Sequence, residues 1–570
     1  MVNGLGLEDA YGLTIERIKA QGGDKSRLGM QALMWVSYAE RPFKAEELCH
    51  ALAVELGSTD FNSGNIPSTS TLVSCCQGLT TVDKEASTVR LVHFTLQEYL
   101  SANPNVFTTP HSSIAEICLT YLNSKQVKAI PSNCYSDLSD TPFLEYCSLY
   151  WGVHAKRQLS DRARSLALKL LQGDDGHIST GLLLRQVKGL DLGNSGTNFQ
   201  FNGLHHASFF GISKLVAALI EMECCDTNGG DMWGHCPLSW AARNGHEEVV
   251  EILLGQEAAN PDEPDICLKT PLSHAARNGH EGVVKILVGL EAVNPNTPDD
   301  DGRTPLSLAA QSGHEGVMKI LLGLKTVSPN QPDHDGQTPL SYAVRNGHVG
   351  VVKILLRRQD FNPNKPDLWG KTPLLYAAGH GYEGVVKILL GREDVDPNKS
   401  DQHGRTPLLL AAWNGQEEMV KILLGREEVN PDKPTSWGQT PLSFAVEFGR
   451  EGVVKILLGR EDVDPNKPDA DGRTPLLFAA WDGYEEMVKM LLGREEVNPD
   501  KPTSWGQTPL SYAAKNGHEG VVKILLRRQD VNPNKPDNRG TTPLMYAARY
   551  RHKRVIELLK PHEAVTPRAT

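Results

Sequence analysis

The sequence predicts a mainly α-helical solenoid of about 11 repeats of 34 residues, preceded by a separate N-terminal region. Three observations predict it. The tripeptide TPL begins at Thr270, Thr304, Thr338, Thr372, Thr406, Thr440, Thr474, Thr508 and Thr542, each 34 residues after the last, with a CPL variant at Cys236. The nonapeptide TSWGQTPLS stands at Thr435–Ser443 and again, unchanged, at Thr503–Ser511, two periods later. A fixed period of this length is the signature of a repeat array. Before the repeats the composition changes, and one eroded copy, NGLHHASFFGISKLVAALIEM from Asn202, lies a period before Cys236.

In the N-terminal region, SRLGMQALMWVSYAERPFKAEELCHALAV reads as two helices. Leu28, Leu33, Met34 and Val36 mark the first; Pro42 starts the second, with Leu48, Leu52 and Val54 along its face. The next stretch predicts a helix, a β-hairpin around Leu79–Val82 and Val89–Val92, and a return helix. Further helices are expected at Ile114–Leu122, Phe143–Val153 and Arg162–Leu171.

One repeat, Asp301–Gly323, carries its own start and stop signals. Thr304 is a good N-cap, and Pro305 fits the first helical position, where its missing N–H costs nothing. Leu306, Ala309 and Ala310 form an apolar stripe, and Gly313 ends the helix in the left-handed conformation. Val317, Met318, Ile320, Leu321 and Leu322 give a second helix a broader apolar face, with Lys319 left for solvent and Gly323 as its stop. Segments such as Arg460–Arg473, rich in Pro, Asp, Asn and Gly, are turns between repeats. Helices this short are marginal alone, so stacking on neighbours supplies the core.

Apolar residues make up 39% of the 570 and the formal net charge is -11. That balance predicts a soluble, intracellular chain, cytoplasmic or nuclear, and disfavours a sequence-independent grip on nucleic acid or anionic lipid. No run of about 18 apolar residues occurs, so no membrane span is expected. The ten Cys lack a C-x2-C spacing, and read as free buried thiols, the adjacent pairs Cys75–Cys76 and Cys224–Cys225 included.

TPL, the following Ala pair, the Gly-His pair and the V-x-x-L-L helix together resemble the ankyrin repeat. The resemblance covers about 360 residues and implies a turn-helix-helix stack that binds proteins through turn tips and inner helices, without catalysis. The family's TPLH is TPLS, TPLL or TPLM here, which is expected to weaken a local hydrogen bond, and the period of 34 puts one extra residue in the turn. QALMWVSYAERPFKAEELCHALAV and LVHFTLQEYLSANP resemble the winged-helix and helical segment that follows the NACHT module in fungal NLR-like proteins with ankyrin arrays. The expected domains are a winged-helix-like domain at 1–105, a helical linker at 106–200 and the solenoid at 201–565. Clear repeats start near 231, 265, 299, 333, 367, 401, 435, 469, 503 and 537, and the degenerate one near 198. No G-x-x-x-x-G-K-[ST] occurs; WGKT at Trp369–Thr372 fails because Lys365 stands where the first Gly should be. No nucleotide, cofactor or metal is therefore expected.

Histidine recurs ten residues after the repeat threonine, at His246, His280, His314, His348, His518 and His552. The same column holds Tyr382, Gln416, Arg450 and Tyr484, so it reads as a polar inter-helix position and not as a ligand set. Two columns drift strongly. Three residues before the cap lie Trp233, Trp369, Trp437 and Trp505; seven after it lie Arg243, Arg277, Arg345, Trp413 and Trp481, among other residue types. In the resembled family both columns face the concave groove, so these nine residues are the expected partner-binding set. As exposed anchors, Trp413 and Trp481 should contribute little to stability. The predicted function is a non-catalytic scaffold for a protein partner. Alternatives are a regulatory part of an NLR-like system acting with a nucleotide-binding module in trans, and a nuclear transcriptional co-regulator.

Overall fold

The repeat threonines set the architecture. In the computed structural model, which describes residues 6–83, 85–131, 138–172, 177–188, 200–223, 226–358 and 360–562, each TPL threonine caps a first helix with proline at its start, as in Pro305–Ser312 and Pro475–Asp482. The threonine Oγ accepts the N–H of the third helical residue at 3.2–3.3 Å. One such cap contributes about 0.5–2 kcal/mol, and the array repeats it. The TPLS serine does not forgo a hydrogen bond at the cap: its hydroxyl lies 3.1–3.3 Å from the threonine hydroxyl in five repeats.

Gly313 ends its helix at φ +81°, and a Cβ there would lie 2.7 Å from the ring of His348 in the next repeat. The glycine thus serves both the turn and the close approach of its neighbour. The second helix follows, as in Glu315–Leu322. First helices pack on first helices and second on second. Leu340, Ala343, Val344, Val352 and Leu355 are wholly buried in one such layer.

The histidine column sits between the two helices of its repeat, as expected, and also links it to the repeat before. His348 Nε2 bonds the carbonyl of Gln311, and His518 and His552 bond those of Trp481 and Lys515, at 2.8–3.0 Å. Each carbonyl belongs to the drifting column of the preceding repeat. Gln416 and Arg450 make the equivalent bonds to Gly379 and Trp413, which explains why several polar side chains serve there.

The turns add two further ladders. Asn364 Nδ2 donates to the carbonyl of Asp394, and its Oδ1 accepts the N–H of Asp396; Asn398 and Asn466 repeat the pattern. Arg392 forks onto Asp394 while donating to the carbonyl of Leu356 in the repeat before.

The described chain falls into two compact units, 1–300 and 301–570. The first begins with α1 (Leu7–Ala20), α2 (Gly23–Tyr38), β1 (Phe43–Lys44), α3 (Ala45–Ala53), α4 (Thr69–Cys75), β2 (Thr80–Asp83), β3 (Thr88–Leu91) and α5 (Phe94–Ala102). The sheet order is β1-β3-β2, all antiparallel, with Phe43 opposite Val89. Pro42 therefore does not begin a helix: it leads into an edge strand, and the helix starts at Ala45. Trp35 is fully buried, its ring 5.2 Å from Phe43 and 5.5 Å from Phe143. The predicted helices at 114–122 and 162–171 lie within Pro110–Leu122 and Asp161–Leu171, and that at 143–153 matches Leu144–Arg157, with Phe143 as its N-cap. Cys49, Cys75, Cys76, Cys118, Cys147 and Cys236 are free and buried; the pair Cys224–Cys225 lies outside the described residues.

Candidate protein-docking surface

The first drifting column sits on the turn tips. Asp367 Oδ1 accepts the N–H of both Trp369 and Lys371, at 2.9 and 2.8 Å, which folds the tip into a tight loop. The Trp369 carbonyl then accepts the N–H of Gln402, and those of His403, Trp437 and Trp505 accept from Ser436, Ala470 and Asn538 at 2.8–3.1 Å. Pinned on both sides, the backbone of the tip is held by its own hydrogen bonds. Trp369, Trp437 and Trp505 are 46%, 56% and 51% exposed.

The second column lies at the end of the first helix, where the carbonyl is engaged by the next repeat. Gln439 donates to Glu447 and Arg345 to Gln337, while Arg473 pairs with Asp471. The residue before the threonine thus touches both drifting columns, placing them on one face.

From the Thr372 repeat to the Thr508 repeat, each unit carries one of the five tryptophans, alternating between tip and helix end. Their surroundings differ. Trp437 stacks on His403 at 5.7 Å, and Trp481, 38% exposed, stacks on Tyr512 at 4.7 Å. Trp413 is only half-exposed, with its ring 5.6 and 5.5 Å from Phe444 and Phe448, so it belongs partly to the packing. Arg345 is exposed. Phe448, 41% exposed, was not among the predicted residues. Its signal was present: half of the ten clear repeats hold Asn there, and Asn414 and Asn516 donate to carbonyls of the preceding repeat, a bond phenylalanine gives up.

In the first unit Trp233, Arg243 and Arg277 line one cleft of about 290 Å³, with Cys267 and Lys269 beside them. Arg243 lies over the Trp240 ring at 5.4 Å, and burial together with nearby Arg277 lowers its pKa. His235, Asp265 and His274 are buried in the same wall. Burial opposes ionisation of Asp265, but the His274 bond and the Lys269 N–H outweigh it and hold the carboxyl at about 2. Burial brings His274 down to about 4 despite that bond. The imidazoles that meet are thus from other columns than the periodic histidines.

A family model described as ankyrin repeats matches residues 175–265, 272–367, 323–401, 360–433, 408–501 and 494–568, well over half of the sequence. The chain is an ankyrin-repeat protein. Its N-terminal part is a winged-helix domain, residues 16–108 matching the model described as the GPI inositol-deacylase winged helix domain. Among solved structures, the ankyrin repeat domain of Bcl-3, a member of the IkappaB family, is 27% identical. It covers 40% of this ankyrin protein and all of its own chain, with a TM-score of 0.36. No curated relative matches the ankyrin protein. No helix among its described residues is long and apolar enough to cross a membrane.

Proposed function

We propose that this ankyrin protein is a non-catalytic scaffold that holds a protein partner across the two drifting columns, the face that forms the concave groove in the family. The observation that carries this reading is the set of exposed tryptophans on a backbone held by its own hydrogen bonds. Trp369, Trp437 and Trp505 keep roughly half their surface in water on pinned turns, and aromatic anchors of this kind dominate protein interfaces. Trp481 and the Trp413–Phe448 pair extend the apolar surface, Arg345 adds a charged contact, and Trp233, Arg243 and Arg277 form a second, cationic docking point in the first unit. The domain boundaries we assign are 1–105, 106–200 and 201–565.

The winged-helix match favours a second reading, in which the scaffold is the regulatory part of an NLR-like system acting with a nucleotide-binding module in trans. Quantitative co-purification from native cells, comparing the natural chain with a Trp369→Ala, Trp437→Ala, Trp505→Ala variant, tests the first reading. A partner set lost from a variant of unchanged melting temperature supports it; an unchanged set refutes it. A nucleotide-binding protein in that set would support the second.

A further inference from the structure

The other repeats provide an internal control for the cluster around Asp265. Five residues before the repeat threonine, a buried aspartate accepts a hydrogen bond from the side chain four residues after it: Tyr342 to Asp333, Tyr376 to Asp367 and Tyr546 to Asp537, at 2.5–2.6 Å. Elsewhere the residue just before the threonine provides the donor, as Arg405 and Arg473 do to Asp401 and Asp469 at 2.7 Å. In either arrangement Oδ1 accepts backbone N–H groups and Oδ2 takes its donor from a single side chain. At Asp265 both columns present imidazoles, one from each of two successive repeats. His274 Nε2 lies 2.9 Å and His235 Nε2 3.4 Å from the same oxygen, Oδ2.

Proton counting shows the misfit. His235 Nδ1 lies 3.2 Å from Asp231 Oδ1, which also accepts the backbone N–H of Trp233 and of His235 itself. A neutral imidazole has one N–H. With that N–H on Nδ1 and bonded to Asp231, His235 Nε2 is left without a proton 3.4 Å from the Asp265 oxygen. One of the two contacts lacks a hydrogen, and His235, Asp231 and Asp265 are all at most 5% exposed. A cation beside that nitrogen and that oxygen fills the place of the missing hydrogen.

We propose that His235, Asp265 and His274 bind a zinc-class divalent transition-metal ion, with Asp231 as the positioning carboxylate behind His235. The three ligand atoms lie within 4.8 Å of one another, and four-coordinate zinc at its usual bond lengths holds its ligands about 3.3 Å apart. His235 Nε2 and Asp265 Oδ2 are already at that spacing. His274 moves out by a few tenths of an ångström, with its proton transferred to Nδ1, and the ion replaces the missing hydrogen. The Asp231–His235–metal arrangement fixes the tautomer and makes Nε2 the better donor. The cleft of about 290 Å³ provides entry and an open fourth position. Its rim carries Arg243, Lys269 and Arg277, of which Lys269 pairs with Asp299 at 3.9 Å; this positive charge places the site among open, exchangeable ones and favours an anionic fourth ligand.

The test is titration of the untagged, full-length chain with Co(II) and Zn(II) at pH 7.5. One ion per chain is expected, with the visible spectrum of four-coordinate cobalt and release of protons on binding. His274→Tyr and His235→Gln install residues that other repeats carry at the same positions, Tyr342 and Gln337, so both should fold; each should abolish binding, and Asp231→Asn should weaken it about 10–100-fold. X-ray absorption on the zinc-loaded natural chain needs no variant: two imidazoles in a nitrogen and oxygen shell are expected. Sulfur in that shell, binding unchanged in both histidine variants, or no metal uptake by the natural chain would each overturn the assignment.

Discussion

Asp432 and Asp500 occupy the slot in which Asn364, Asn398 and Asn466 donate to the carbonyl of the next repeat. Their Oδ2 still accepts the N–H of Asp464 and Asn532, at 2.7 and 2.8 Å. Their Oδ1 is buried with no partner among the described residues, because a carboxylate cannot give the hydrogen that the amide gives. Burial raises the pKa of both; neighbouring Asp462 and Asp464 at the one and Asp530 at the other add to it, against Lys467 and Lys535. The folded chain therefore keeps protons that the unfolded chain has released. The stability this contributes is fully present below the ordinary aspartate range and is lost as pH rises through the raised folded value. Asp432→Asn and Asp500→Asn should each stabilise the chain at pH 7.5 by about 0.5–1.5 kcal/mol, the net worth of one recovered hydrogen bond, and flatten this part of the pH dependence. Thermal unfolding at pH 4.5 and 7.5 checks both; a loss of stability in either variant at pH 7.5 would contradict the slot's assignment.

At the scale of the element, the repeat helices were legible because each carries its signals locally, Thr-Pro at the start and Gly at the first stop. The edge strand was not. Pro42 reads as a helix start, but Phe43 packs under Trp35 and pairs across the sheet with Val89, a strand partner far away in sequence. The Asn and Arg ladders and the histidine bonds span 30 to 37 residues, so local spacing does not reveal them, although their columns recur. Within the drifting columns the sequence located the tryptophans but not their burial. Trp413 faces two phenylalanines of the next repeat whereas Trp437 and Trp505 project from turns, so we separate them by mutation. Trp413→Ala should cost about 1–3 kcal/mol in stability, part of the cost of truncating a fully buried aromatic, while Trp437→Ala and Trp505→Ala should stay within about 0.5 kcal/mol. Urea unfolding of the three variants measures this, and equal losses would mean that the turn tryptophans are structural too.

At the scale of the whole molecule, each layer contacts only its neighbours, so an end layer must tolerate water. The last repeat does so: Arg551, Lys553, Arg554 and Glu557 are exposed or half-exposed around its second helix. Beneath it Ala513, Ala514, Val521, Val522 and Leu525 are fully buried. Ending the chain before Thr541 should uncover that face and produce concentration-dependent association in sedimentation velocity; a truncated chain that stays monomeric with an unchanged melting temperature would contradict it. The sequence contains no G-x-x-x-x-G-K-[ST], so calorimetry with ATP or GTP is expected to give no heat of binding at physiological concentration. The central claim is that one face, marked by the drifting columns, holds a protein partner. Photo-crosslinking in native cells tests it most directly, with the crosslinker placed in turn at positions 437 and 505 and, as a control, at the exposed second-helix positions 421 and 489. A common protein adduct is expected from 437 and 505 and none from 421 and 489; adducts from the second-helix positions alone would refute docking on this face.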